Sequence, residues 1–136
     1  MLIYLSSRGI GQSESTREYL HSLREEEYTM PSGPILLYTD SVINALTAEI
    51  IDGNPEVQKI SKLARVRGVF SGNPLFAAYG NRDSDIMAYK ALSIPEDHIF
   101  RLDEESLLVS QTDITPKTFR EHIDDLENIY PKYIPL

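Results

Sequence analysis

Four short apolar runs recur along the chain: LIYL (2–5), ILLY (35–38), LFAAY (75–79) and HIFRL (98–102). Each has the length of a buried strand. The segments between them have helical spacing. Residues 13–27 open at Ser13, a good N-cap type, and place Tyr19, Leu20 and Leu23 on one face. Asp40 or Ser41 can cap VINALTAEII, which stops at Asp52-Gly53. Residues 55–70 start with Pro55 and Glu56, suited to a first turn, and continue through Ile60, Leu63, Val66 and Val69. SDIMAYKAL predicts a short helix over 84–92, capped by Asp83 or Ser84. Thr115-Pro116 introduces a last amphipathic helix carrying Phe119, Ile123, Leu126 and Ile129. The order β-α-β-α-α-β-α-β-α predicts one α/β domain over 1–136 with a parallel sheet.

Composition narrows this little. At 136 residues, 41% apolar and 25% charged, the chain is long enough for a real core. It has no cysteine, so disulfides and thiolate metal sites are excluded. No apolar run approaches the roughly 20 residues of a membrane span, and the start MLIYLSSRG lacks a signal peptide's apolar centre. The net charge of −8 disfavours nucleic acid as a partner, because a phosphate backbone would be repelled. Any phosphate must then be met by a few placed cations.

Ligands of open α/β sheets bind at the carboxyl ends of strands. Two stretches stand there: SSRGIGQSESTR after the first strand and GNRDSD after the third. In the first, the hydroxyls of Ser6 and Ser7 and the Arg8 guanidinium could grip a phosphate. From spacing alone, a polar turn with a surface arginine is the simpler reading. Gly9 and Gly11 lack the third glycine of a dinucleotide fingerprint. In the second, Asn81 and Asp85 offer the hard oxygens magnesium prefers; an acidic first helical turn accounts for the same residues. Lys59 reads by default as a surface lysine. His21, His98 and His122 show no metal-ligand spacing and read as surface or partly buried residues. REEE (24–27) and DEE (103–105) read as solvated faces.

Three longer strings go further. LIYLSSRGIGQSESTREYLHSL, then MPSGPILL, then FAAYGNRDSDIMAYKALSIPEDHIF, resemble in order and spacing the catalytic domain of lipins, the magnesium-dependent phosphatidate phosphatases. The resemblance implies the haloacid dehalogenase superfamily, hence a Rossmannoid parallel sheet with flanking helices. It also implies roles. Ser6 falls on the hydroxyl that bonds the transferring phosphoryl group, with Ser7 beside it, and Lys59 on the cation that offsets charge on nucleophile and phosphate. Asn81 and Asp85 fall on the magnesium-holding motif, while Arg8, Arg17 and Arg82 match arginines that bind phosphate or serve structure. Phosphatidic acid or a related anionic lipid becomes the implied partner, with a cytoplasmic location and peripheral contact with membranes.

One departure matters more than the match. The family's Asp-x-Asp-x-Thr motif, which supplies the nucleophile and the general acid/base, does not occur in this sequence. The resemblance places Met1 inside the second strand. The first, central strand is then missing from between 75–79 and 2–5, and each buried backbone group left unpaired costs about 1–3 kcal/mol. The expectation is an N-terminally incomplete catalytic domain, inactive alone, whose sheet another segment completes. The alternative is a nucleophile-free domain that binds phosphatidate or another anionic lipid, or a regulatory pseudophosphatase.

Overall fold

ILLY forms the strand its four apolar residues predict, and it pairs in parallel with the first run, as an α/β domain requires. The computed structural model describes residues 1–38 and 55–132. The helix expected over VINALTAEII, with its caps, lies outside the described residues. The chain divides into two compact units, Met1–Ile50 and Ile51–Leu136.

In the first unit, β1 (Tyr4–Gly9) pairs with β4 (Ile35–Tyr38). β1 is followed by a 3-10 turn (Ile10–Gln12) and α1 (Ser13–Ser22). The register runs Tyr4↔Ile35, Leu5↔Leu36, Gly9↔Tyr38. Four steps on β1 therefore face two on β4, so Ser6-Ser7-Arg8 bulges out of the ladder. These residues belong to an irregular stretch within the strand, not to a loop beyond it. The pair starts where Tyr4 N–H donates to the Pro34 carbonyl at 2.9 Å and Tyr4 Oη to the Pro31 carbonyl at 2.6 Å. Chain approach is closest at Gly33, where an added Cβ would lie 2.0 Å from the Leu2 carbonyl oxygen.

α1 stops at Ser22 instead of running to residue 27. Leu23 turns extended, and β2 (Arg24–Glu25) and β3 (Tyr28–Thr29) form an exposed two-residue hairpin, with Glu26 at φ 54° in its turn. Ser13 is the first helical residue and Gln12 holds the cap position without a side-chain bond. The hydroxyls of Ser15 and Thr16 donate back to the Gln12 carbonyl.

The second unit carries a three-stranded sheet in the order β5 (Ala78–Gly80), β6 (Ile99–Leu102), β7 (Leu108–Ser110). β5 and β6 are parallel, β6 and β7 antiparallel. Helices α2 (Pro55–Arg67) and α3 (Asp83–Ala91) pack on each other. Parallel pairing in both units, with helices between strands, is the α/β class expected of a haloacid-dehalogenase-like domain. The antiparallel strand β7 was not expected from the apolar pattern. β5 is shorter than predicted, and the Phe76 carbonyl, which lies before it, accepts from the His98 ring at 2.8 Å. Val69 lies past the end of α2 and is 77% exposed.

The long C-terminal helix is two short ones, α4 (Phe119–Ile123) and α5 (Leu126–Ile129). Its cap is Thr118, not Thr115. Thr118 Oγ1 accepts from Glu121 N–H, and the Glu121 carboxylate accepts from Thr118 N–H at 2.7 Å. Phe119 and Ile123 face solvent; the inward residues are His122 and Ile129.

Leu92, Ile99 and Leu108 are the largest fully buried side chains. Beside them Phe100, Leu108 and Ile129 form a cluster on which Tyr79 packs. Tyr79 stacks on its strand partner Phe100 at 5.2 Å, and the His122 ring meets Phe100 edge-on at 4.5 Å. His122, expected to be a surface or partly buried residue, is only 4% exposed.

Burial holds the His122 imidazole below its ordinary pKa of 6.5; nearby Asp125 opposes this and Lys117 adds to it. The folded pKa lies below the unfolded one, so this stability is complete above 6.5 and declines as pH falls below it. The expected result is a lower urea midpoint about one unit below the ordinary imidazole value than at neutral pH. His122→Gln should flatten that part of the pH profile.

Candidate functional site

The loop Gly80-Asn81-Arg82 leaves β5 and enters α3, and everything unusual about it converges on Asp85. Asp85 is the third helical residue and reaches back over the turn, so that Oδ2 accepts from Asn81 N–H at 3.2 Å and Arg82 N–H at 3.1 Å. Arg82 holds the N-cap position, but a guanidinium has no acceptor, so the Asp85 N–H goes to the Arg82 carbonyl at 3.0 Å. Capping is therefore the work of Asp85, not of Asp83 or Ser84 as spacing suggested. Asp83 instead forms an exposed ion pair with Arg101 at 2.6 Å.

The other oxygen, Asp85 Oδ1, accepts from Lys59 Nζ at 2.5 Å. Lys59 also donates to Ser84 Oγ at 2.9 Å. The lysine is 6% exposed and the aspartate 9%, so the surface reading of Lys59 does not hold. Sequence alone could not show this, since the residues are 26 positions apart and on different helices. No sequence signal marks Ser84 or Gly80 as a member of the centre. An added Cβ on Gly80 would lie 2.5 Å from Asp85 Cβ and 2.9 Å from its carboxyl carbon. The absent side chain at 80 is what lets the carboxylate lie against the loop.

Tyr89, one turn further along α3, donates to the Tyr79 carbonyl at 2.9 Å. Burial pushes its phenol pKa up, and the Asp85 charge adds to this. The same causes keep Tyr89 a hydrogen donor throughout the physiological range.

Asp85 could hold a cation only in part. Oδ2 has both lone pairs engaged by loop N–H groups, and Oδ1 has one left beside the Lys59 ammonium. The exposed Asn81 side-chain oxygen is a second donor. Among the described residues no group of three or more histidine, aspartate or glutamate side chains could hold a metal. Two oxygens nevertheless suit magnesium, which keeps several waters and takes substrate phosphate for the remainder. The only Asp-x-Asp spacing in the sequence is Asp83-Ser84-Asp85. Both carboxylates are committed to basic partners in the first turn of α3.

The first unit holds Ser6, Ser7, Arg8 and Arg17. Ser6 Oγ accepts from Arg8 N–H at 3.2 Å. Arg8 donates to Thr16 Oγ1 at 3.4 Å, and its guanidinium lies 5.9 Å from the centroid of the Tyr19 ring. Arg8 is thus steered by α1 yet remains exposed, as does Ser7. Arg17 lines a cavity of about 210 Å³ with Tyr4, His21 and Met30. The exposed Arg82 side chain has no partner among the described residues.

Comparison with known proteins bears on what these pieces are. A family model described as LNS2 (Lipin/Ned1/Smp2) matches residues 1–131. Phosphatidate phosphatase LPIN3 of Homo sapiens is 34% identical over 132 residues, covering 95% of this chain and 16% of the relative. Phosphatidic acid phosphohydrolase 1 of Saccharomyces cerevisiae is 34% identical over 116 residues, 76% of this chain and 14% of the relative. Phosphatidate phosphatase PAH1 of Arabidopsis thaliana is 38% identical over 101 residues, 73% of this chain and 11% of the relative. The chain thus spans about a sixth or less of each of these relatives. Among the described residues, no helix is long and apolar enough to cross a membrane.

Proposed function

Since the chain belongs to the LNS2 (Lipin/Ned1/Smp2) family, we propose that its two units carry phosphate-handling elements of a magnesium-dependent phosphatidate phosphatase. The observation that carries this is the buried Lys59 ammonium, fixed by Asp85 and Ser84 beside a loop that ends a parallel strand. A cation held in place by two acceptors can offset phosphate charge without reorganising during the reaction. In the first unit, Ser6 and Ser7 would offer hydroxyls and Arg8 charge to a phosphate oxygen; in the second, Arg82 would supply charge. Asn81 and the remaining lone pair of Asp85 would hold the magnesium. When bound, the metal would neutralise phosphate charge and orient the headgroup.

Phosphoryl transfer through an aspartyl phosphate needs a free carboxylate, and this sequence has no Asp-x-Asp-x-Thr. The attacking aspartate would therefore come from outside these 136 residues, as part of one lipin-like catalytic domain. The expected result is that the purified chain releases no phosphate from phosphatidate in mixed micelles with magnesium, measured by phosphate assay. Release that Asp85→Ala abolishes would overturn the proposal.

A second reading is favoured by an exposed cation in each unit, Arg8 in the first and Arg82 in the second. On that reading the chain grips phosphatidate peripherally, at a membrane surface, without cleaving it. Co-sedimentation with phosphatidate vesicles but not neutral ones supports it; equal binding to both ends it.

A further inference from the structure

The Gly80–Arg82 loop is pinned at both ends. At its far end Asp85 accepts from the loop amides. At its near end stands Tyr79, whose carbonyl accepts from Tyr89 on α3. The Tyr79 hydroxyl meets His122 Nε2 on α4 at 2.8 Å, and Tyr130 Oη donates to the Tyr79 oxygen at 3.3 Å. Tyr130 to Tyr79 to His122 is a directed chain, and it runs that way only when His122 Nε2 is an unprotonated acceptor. β5 is three residues long and pairs among the described residues with β6 alone. So short a strand gives the loop little support of its own, and the side-chain bonds of Asp85, Tyr89 and Tyr79 hold it instead.

We propose that the Tyr79–His122 hydrogen bond is a latch that sets the Gly80–Arg82 loop against Asp85, making Tyr79 and His122 positioning residues for the Lys59–Asp85 centre. Its meaning for catalysis rests on the phosphate-handling reading of that centre. The groups around His122 are consistent with an acceptor ring. Tyr79 approaches from β5 and Tyr130 from beyond α5. Asp125 Oδ2 lies 3.9 Å from His122 Nδ1, but that oxygen is already held by Lys117 at 2.7 Å. Asp97, His98 and Asp113 line the same cavity of about 280 Å³ without a hydrogen bond to the ring. Protonation turns Nε2 into a donor, so the Tyr79 hydroxyl must turn its hydrogen away to accept from it, and the directed chain from Tyr130 through Tyr79 to His122 is broken. Acidification therefore slackens the loop through a residue 41 positions from Asn81 in sequence.

Amide hydrogen exchange on the purified chain tests this, each rate being referred to the amide's intrinsic rate at that pH. Asn81 and Arg82 are expected to exchange roughly three- to tenfold faster in Tyr79→Phe, the factor one ordinary hydrogen bond represents. In the unaltered chain the same two amides lose protection as pH falls through the titration of the His122 ring signals. His122→Gln keeps an acceptor that does not titrate, so it retains the protection and loses the pH dependence. Unchanged exchange in Tyr79→Phe, or the same pH dependence in His122→Gln, overturns the proposal. Should His122→Gln fail to fold, Tyr79→Phe decides alone. No activity enters the readout, so failure of the phosphatase reading would leave these rates as they are.

Discussion

Replacing Lys59 by methionine is expected to cost the second unit about 3–5 kcal/mol, because it strands a buried carboxylate without its counter-charge. That is a large part of the 5–15 kcal/mol typical of a whole domain. Methionine has nearly the lysine stem's length and fills its space, so the loss comes from charge more than from volume. The pair itself need not be strongly stabilising: two desolvated charges repay little more than their burial cost. Asp85→Asn on the Lys59→Met background removes the stranded charge while keeping an oxygen for the Asn81 and Arg82 amides. The double variant is therefore expected to recover most of the loss. Urea unfolding of the two single variants and the double variant measures this. Equal stability of Lys59→Met and the unaltered chain would show that Lys59 is not held as described.

Gly80→Ala is the second large effect. The new methyl would stand 2.5 Å from Asp85 Cβ, well inside contact distance, and that atom lies too close to the helix backbone to swing away. Overpacking of this kind costs about 1–3 kcal/mol. Its local effect matters more, since relief of the clash moves the Asp85 carboxylate away from both loop amides and from Lys59. The expected signature is a lower unfolding midpoint together with displaced amide resonances for Asn81 and Arg82. A methyl accommodated with neither change would remove the case for glycine at this position.

The parts of this fold that could be read from sequence are those whose signal is local. Ile35–Tyr38 is a strand because four apolar residues in succession have one way to be buried there. Pro55-Glu56 opens α2 where first-turn chemistry puts it. Where charge continued without a break, the helix was overextended: REEE has good helix formers, yet Leu23 turns extended and the acids occupy a hairpin. β7 leaves no mark in the sequence, because three residues paired across a turn carry almost no periodicity.

The site divides the same way. GNRDSD marked the position, but which acid caps and which receives Lys59 depends on a reach-back of Asp85 and on a missing Cβ at Gly80. Lys59 and Asp85 are 26 residues apart, and Tyr79 and His122 are 43 apart. Tertiary packing alone brings each pair together, and no local pattern records it. The lipin resemblance singled out Lys59 where spacing could not, and the lysine is buried against Asp85.

The most direct measurement exchanges the matched segment of phosphatidate phosphatase LPIN3 of Homo sapiens, 132 residues at 34% identity, for this chain and assays phosphate release from phosphatidate. The expected result is a folded hybrid with magnesium-dependent release, lost in Asn81→Ala and Asp85→Ala. A hybrid that folds but releases no phosphate, or one whose release is untouched by both substitutions, would contradict it.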